Sequence, residues 1–398
     1  MLIHAATDNE IHPPTFGGAQ RSFGLYRGLA RRHRVEALCL VPNRDPAPRD
    51  ETVAGVRIMR RKAWYTSAAW RLELARVAPL FCAAAGHAAN AGRLAREFSG
   101  PADALLADLS LAGLMRADPA PLRVYTAHNV EYDHFREAGP ALLAPAFWAE
   151  RRRAMEAEAV ARAHLTVVCG EEDAARMCEL YGVDAAALLV APNGYDETSV
   201  RPPAPEERAR ARAALGVADD EYVALFVASD VPHNRAAVEA LVGWVMPPLA
   251  DAKVRLVVAG AVIRALTRRA APWLIARPET PDLLPVLHAA DVGVNAVTGG
   301  GGSNVKVPTY LGAGLAVITT PHGLRGYASL APWVTSVTLE HMTEALRARP
   351  QGWLARGLAM PDAVRDHAWG RLGERLGEML EAKRRGAPAV AAAGRAGA

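Results

Sequence analysis

Apolar positions along the chain fall into short continuous runs separated by stretches of helical spacing. Leu2 to Ala5 is a strand-length run, and Thr7 to Phe16 is polar and proline-bearing. Gly17-Gly18 then opens a helix with apolar residues at Phe23, Leu25, Tyr26 and Leu29, followed by the apolar run Val35 to Val41. Strand, helix, strand at this spacing predicts the βαβ unit of a parallel sheet. Val56 to Met59, Ala104 to Ala107, Val124 to Thr126, Leu165 to Cys169 and Ala187 to Ala191 extend the strand series.

The pattern then breaks. Asn193-Gly194 is a turn dipeptide, and the prolines Pro202, Pro203 and Pro205 continue neither helix nor sheet, which puts a linker at about 193 to 205. Beyond it the alternation restarts with strand Tyr222 to Ala228, helix Arg235 to Met246, strand Arg255 to Ala259 and strand Asp291 to Ala296. The Gly299 to Gly302 run leads into a helix that starts between Ser303 and Lys306, and Leu315 to Thr319 is a further strand. One amphipathic helix is expected from about 361 to 385, with Val364, Trp369, Leu372, Leu376 and Leu380 near one face. The expected architecture is α/β, with two doubly wound domains. The first spans 1–195 and is joined by the C-terminal helix 365–385; the second spans 196–364; a tail at 386–398 is expected to be disordered. The length of 398 residues exceeds what one core usually serves.

Composition narrows the class. Hydrophobic residues make up 51% and charged residues 22%, as in a soluble globular enzyme. The net charge of +4 suits a protein that handles phosphates, but no dense basic run is interleaved with aromatics, so no nucleic-acid partner is expected. Cys39, Cys82, Cys169 and Cys178 form no C-x-x-C pair, which points to a reducing compartment. The N-terminus has no basic segment backed by an apolar one, and the most apolar stretch, Val77 to Ala89, is too short to span a bilayer. A cytoplasmic protein is therefore expected. Arg21, Arg27, Arg31, Arg32, Arg34, Arg60, Arg61, Lys62 and Arg71, with Trp64 and Trp70, suit either a peripheral contact at the inner face of a membrane or a solvated, arginine-rich surface.

Three motifs carry chemistry. Gly17-Gly18 at a helix N-terminus lets a phosphate or sugar approach the backbone, or serves packing alone. Thr126 to Asp133 is a polar run at the carboxyl end of a parallel strand, where α/β proteins bind ligands; His128, Asn129 and Glu131 are its candidates for orienting a sugar or an acceptor. Gly301, Gly302, Ser303, Asn304 and Val305 form a turn suited to a diphosphate, with Lys306 as a point charge and Thr309 one turn further on. It is not a Walker loop, since no G-K-[ST] follows the glycines. No Asp-x-Asp pair or Cys/His cluster offers metal ligands, so neither a metal nor a cofactor is expected.

In their order these segments resemble the retaining GT-B glycosyltransferases of family 4, the group related to glycogen and sucrose synthases. The resemblance rests on Gly17-Gly18 with the later basic run Arg31 to Arg34, and on His128 to Glu131. It rests further on Pro192-Asn193-Gly194-Tyr195-Asp196, on Ala228 to Val238, and on Gly301 to Thr320. It covers about residues 1 to 385 and implies two Rossmann-like domains around a cleft. It also implies a nucleotide-sugar donor held against the second domain, and retention at the anomeric carbon. On this reading His128 and Lys306 are catalytic, Arg235 assists at the diphosphate, and the acceptor is a glycan, a lipid-linked molecule or a small molecule. Two departures stand out. Gly301 and Thr309 occupy the places of the glutamates in the family's E-x7-E pattern, and Ser229 with Asn234 or Arg235 stands near the places of its usual Arg and Lys. They imply an altered donor, ribose contacts from elsewhere, or a degenerate protein acting as a sugar-binding or partner subunit. A sugar-nucleotide epimerase of the same fold would need carboxylates to move protons, and apart from Glu131 the motifs lack them. The sequence does not indicate an oligomeric state.

Overall fold

The computed structural model describes residues 1–41, 49–266, 271–279 and 282–386. The expected tail lies outside the described residues beyond Gly386. Apolar runs buried on both faces form the strands, as parallel sheets covered by helices require. In the first domain these are β1 (Leu2–Thr7), β2 (Arg34–Val41), β3 (Arg49–Val53), β4 (Val56–Lys62), β5 (Ala104–Ala107), β6 (Leu122–Thr126), β7 (Leu165–Val168) and β8 (Leu188–Val190). They make one sheet in the order β3-β4-β2-β1-β5-β6-β7-β8. The second domain contributes β9 (Tyr222–Val227), β10 (Val254–Ala259), β11 (Leu274–Arg277), β12 (Val292–Asn295), β13 (Ala316–Thr319) and β14 (Thr335–Ser336), in the order β11-β10-β9-β12-β13-β14. Every pairing is parallel except β3 with β4.

Two differences from the sequence reading have physical causes. β3 is a polar edge strand with no apolar run to announce it; it is folded back on β4 through Ala54-Gly55, both at positive φ (48° and 82°), as a tight hairpin turn favours. The single helix expected over 361 to 385 is instead two, Asp362–Arg365 and Trp369–Gly386. Between them the backbone pairs with the linker: the Tyr195 N–H donates to His367 O at 3.0 Å, and the Trp369 N–H donates to Tyr195 O at 3.0 Å. The two chain crossings between the domains are thus bonded to each other.

The last helix packs on the first domain, where Trp369, Leu372, Leu376 and Leu380 join the core built around Ile3, Phe23, Tyr26 and Leu29. Glycines set the approach to the first helix, Gly17–Ala30. A Cβ on Gly373 would lie 2.4 Å from Gly28 Cα and 2.7 Å from Leu29 N, both backbone atoms that no side-chain rotation can move aside. Gly373→Val is therefore expected to lower stability by about 1–3 kcal/mol, the usual cost of overpacking. An unchanged denaturation midpoint in urea would contradict the close contact.

Candidate functional site

Parallel strands end in loops at their carboxyl edges, and here the edges of the two sheets face each other. Asp8 follows β1, Asp108 follows β5 and His128 lies just past β6; Ala228, Gly260 and Val297 lie just past β9, β10 and β12. All of them line one cleft of about 1130 Å³ between the domains.

On the wall of the first domain, His128 Nε2 lies 3.3 Å from the buried Asp108 carboxylate. Asp108 Oδ1 also accepts a hydrogen bond from Thr126 Oγ1 at 2.7 Å. Burial alone would push the imidazole pKa down, but Asp108 outweighs it and lifts His128 above its ordinary value. Gly18 leaves room beside this ring: a Cβ there would lie 3.7 Å from His128 Nδ1. Glu131 begins a helix, Glu131–Ala138, whose first N–H groups, those of Glu131 and Tyr132, donate to the Glu156 carboxylate at 2.9 and 3.1 Å. Tyr125 and Tyr181 hydroxyls donate to the same carboxylate. Burial would raise the Glu131 pKa, yet its ion pair with Arg152 wins and holds it below the usual carboxylate range. Asn129 Nδ2 donates to Glu131 at 3.4 Å.

On the wall of the second domain the glycine turn needs left-handed backbone at Gly300 (φ 104°) and Gly302 (φ 64°). It presses against the other wall. A Cβ on Gly301 would lie 2.6 Å from Asn129 Oδ1, so the place where a family glutamate is expected is occupied by Asn129 from across the cleft. The helix that follows is short, Lys306–Gly312, and begins at the far end of the expected range. Lys306 Nζ donates to Asn234 Oδ1 at 2.9 Å and sits 5.3 Å over the Phe226 ring. Burial, with no carboxylate partner among the described residues, lowers its pKa to about 7. His233 beside it is lowered to about 4, first by burial and then by Lys306. His322 donates through Nε2 to Gly300 O at 3.0 Å and steadies the turn.

The structure therefore brings Gly17, Gly18, His128, Asn129, Glu131, Gly301, Gly302, Ser303, Asn304, Val305, Lys306 and Thr309 to one cleft. Several point elsewhere in detail. The Ser303 hydroxyl accepts from the Asn193 N–H at 2.8 Å and so binds the start of the linker. Thr309 Oγ1 donates to Val305 O at 2.7 Å, back into its own helix. Arg235 does not line the cleft; its guanidinium is half exposed and paired with Asp230 at 2.5 Å, five residues before it.

Among the arginines read as a surface patch, Arg31, Arg32 and Arg34 are exposed, whereas Arg21 and Arg60 are buried. Arg21 is buried at 2% exposure and lines the cleft, and its Nη1 donates to Ala191 O at 2.7 Å. Arg27 is paired with Asp196, Arg31 with Glu197, Arg32 with Glu381, Arg34 with Glu36, Arg60 with Glu10 and Glu51, and Arg61 with Asp50 and Glu97. Asn234, weighed above beside Arg235, lines the cleft, and Asp108, Arg152, His134, His233 and His322 also line it without having been singled out. Of these, Asp108 alone carried a readable signal, since it follows an apolar strand just as His128 does.

Residues 16–199 match the family model described as Glycosyltransferase Family 4. No curated protein sequence matches the chain. Among solved structures, sucrose-phosphate synthase from Thermosynechococcus elongatus is 17% identical, with a TM-score of 0.63, covering 96% of this chain and 94% of that one. Anabaena HepE, in complex with UDP and glucose, is 14% identical with a TM-score of 0.66, covering 96% and 100%. The catalytic domain of starch synthase IV from Arabidopsis thaliana, bound to ADP and acarbose, is 12% identical with a TM-score of 0.67, covering 96% and 99%.

Proposed function

We propose, for a chain that carries a Glycosyltransferase Family 4 domain on the two-domain GT-B fold, that it transfers a sugar from a nucleotide-sugar donor to an acceptor, with retention at the anomeric carbon and without a divalent metal. The observation that carries this reading is Lys306. It is a buried amine with no carboxylate partner among the described residues, placed at the glycine turn and opposite the Asp108–His128 pair. The complexes of HepE with UDP and glucose and of starch synthase IV with ADP support a nucleotide-sugar donor.

When the bond between the anomeric carbon and the phosphate oxygen breaks, negative charge collects on the departing diphosphate. Lys306 meets that charge in a site that water screens poorly, where a fixed cation stabilises a transition state most. The N-terminus of the helix Gly17–Ala30, open at Gly17, adds partial positive charge from the other wall. His128, kept basic by Asp108, orients the sugar by donating to a hydroxyl. Asn129 and Glu131 face the same space and suit the acceptor side, and the acceptor enters past Glu73, Pro79, Leu80 and Phe81.

Metal independence is part of the proposal, and the side chains present agree with it. Among the described residues no three His, Cys, Asp or Glu side chains gather as a cation site, so fixed groups meet the leaving-group charge. The test is donor hydrolysis or transfer, with a panel of UDP- and ADP-sugars in excess EDTA; activity is expected to persist. Activity that vanishes in EDTA and returns with Mn²⁺ would overturn the mechanism. Proton NMR of the product tests retention. The inward-bonded Thr309 hydroxyl favours one second reading, a sugar-binding partner subunit. Nucleotide binding with no turnover of any donor would support it.

A further inference from the structure

Of the ten large hydrophobic side chains exposed among the described residues, six are Trp64, Leu72, Leu74, Val77, Leu143 and Phe147. They are well exposed: Trp64 by 72%, Leu143 by 70% and Leu74 by 64%. They come from two segments, the helix Trp64–Leu74 with its following turn, and the loop and first turn of the helix Pro145–Arg162. The segments touch, for the Leu143 N–H donates to Arg76 O at 3.0 Å. Phe147 packs edge-on against Trp148, and Trp148 against Phe81, which lies just beyond the Trp64–Leu74 segment. Isolated exposed apolar residues are ordinary, but several gathered where two segments meet, as Leu74, Val77, Leu143 and Phe147 are, mark a contact surface.

The charges around it are one-sided. Arg71, Arg76 and Arg151 are exposed on the same segments and enter no ion pair among the described residues, unlike Arg27 of the first helix and the arginines of β4. Of the acids nearby, Glu73 accepts from the Leu80 N–H and Glu150 is shared between Arg153 and the Tyr132 hydroxyl, which leaves Glu137 exposed against three arginines. A second copy docked on this face through a twofold axis would set these free arginines against their own kind. An anionic bilayer meets both features at once, apolar side chains entering the headgroup boundary and arginines facing phosphates. The face is continuous with the cleft, since Glu73, Pro79, Leu80, Phe81 and Pro140 line its acceptor side. No helix among the described residues is long and apolar enough to cross a membrane, so the contact is peripheral.

We propose that this face seats on an anionic lipid bilayer and that the acceptor is carried on a lipid, its polar head entering the cleft past Pro79 and Phe81. The acceptor class rests on the glycosyltransferase reading above; the lipid contact does not.

The experiment is flotation of the full chain with vesicles of phosphatidylcholine alone or in equimolar mixture with phosphatidylglycerol, alongside calorimetry with UDP and ADP. Binding is expected to the mixed vesicles and to weaken with salt. It should fall about fivefold for each of Arg71→Gln and Arg151→Gln and disappear in Leu74→Glu/Phe147→Glu. None of these residues lines the cleft, so nucleotide affinity should hold in every variant. No flotation of the parent, or equal flotation of the variants, overturns the proposal. So does self-association of the parent that the Leu74→Glu/Phe147→Glu variant abolishes, with no lipid binding. Flotation without any nucleotide binding would keep the lipid contact and remove the transferase reading instead.

Discussion

Arg152→Met is expected to destabilise the protein by about 3–5 kcal/mol, the loss seen when one partner of a buried ion pair is removed. The cost arises from what stays behind. Glu131 is almost fully enclosed, and its charge is held by Arg152 against a burial penalty that favours the neutral acid. Buried Glu156, itself pushed up by burial, adds nothing to hold a second negative charge there. The pH dependence gives the prediction its sign. In the parent, the lowered Glu131 pKa contributes stability above the unfolded carboxylate pKa, and this is lost as pH falls through the folded value. In the variant the Glu131 pKa rises above the unfolded value, so stability is retained in acid and lost as pH rises through the new folded value. Urea denaturation at pH 5 and at pH 8 should show the smaller deficit at pH 5. An equal deficit at both would mean that lost packing, including Arg152 over the Phe81 ring, and not stranded charge, accounts for the change.

Lys306→Met is expected to weaken UDP or ADP binding tenfold or more, since a charge-assisted phosphate contact is worth about 1.5–3 kcal/mol. The parent carries a second signature. With a pKa of about 7 the amine is mostly neutral at pH 8 in the empty cleft, and a bound diphosphate favours the charged form. Binding at pH 8 should therefore take up close to one proton, read as a dependence of the calorimetric enthalpy on buffer ionisation; Lys306→Met should show none. The empty protein should respond in the opposite sense. A folded pKa below the unfolded value of a lysine means that the amine destabilises the fold most below about pH 7 and progressively less as pH rises toward the unfolded value. Lys306→Met should thus be at least as stable as the parent at pH 6. Binding unchanged in the variant would remove Lys306 from the donor site.

The strands were legible because a parallel strand buried on both faces is a continuous apolar run, as in Leu38 to Val41 or Leu256 to Ala259. The cleft was legible because loops after such strands carry the polar residues, which put His128 and the glycine turn in place. What the sequence hid is held by partners far apart along the chain. Arg21 looked like one of several surface arginines; it is buried because its face of the helix meets Ala191 and Asn193 at the start of the linker, 170 and 172 residues away. Arg152 reads as one basic residue in a helix of several, and only the fold sets it against Glu131. Asn129 gains its place against Gly301 from the way the two domains face each other. Local spacing carries no record of such pairings.

The last helix has a consequence for how the molecule is made. Trp369, Leu372, Leu376 and Leu380 fill a groove over the first helix and complete the core of the first domain. A chain emerging from the ribosome supplies its N-terminal part first, and domains of most proteins close in that order. Here the groove over Tyr26 and Leu29 must stay open while the whole second domain is synthesised, and an apolar groove left open is a place for wrong partners to bind. In the order of synthesis, the domain that begins first is finished last.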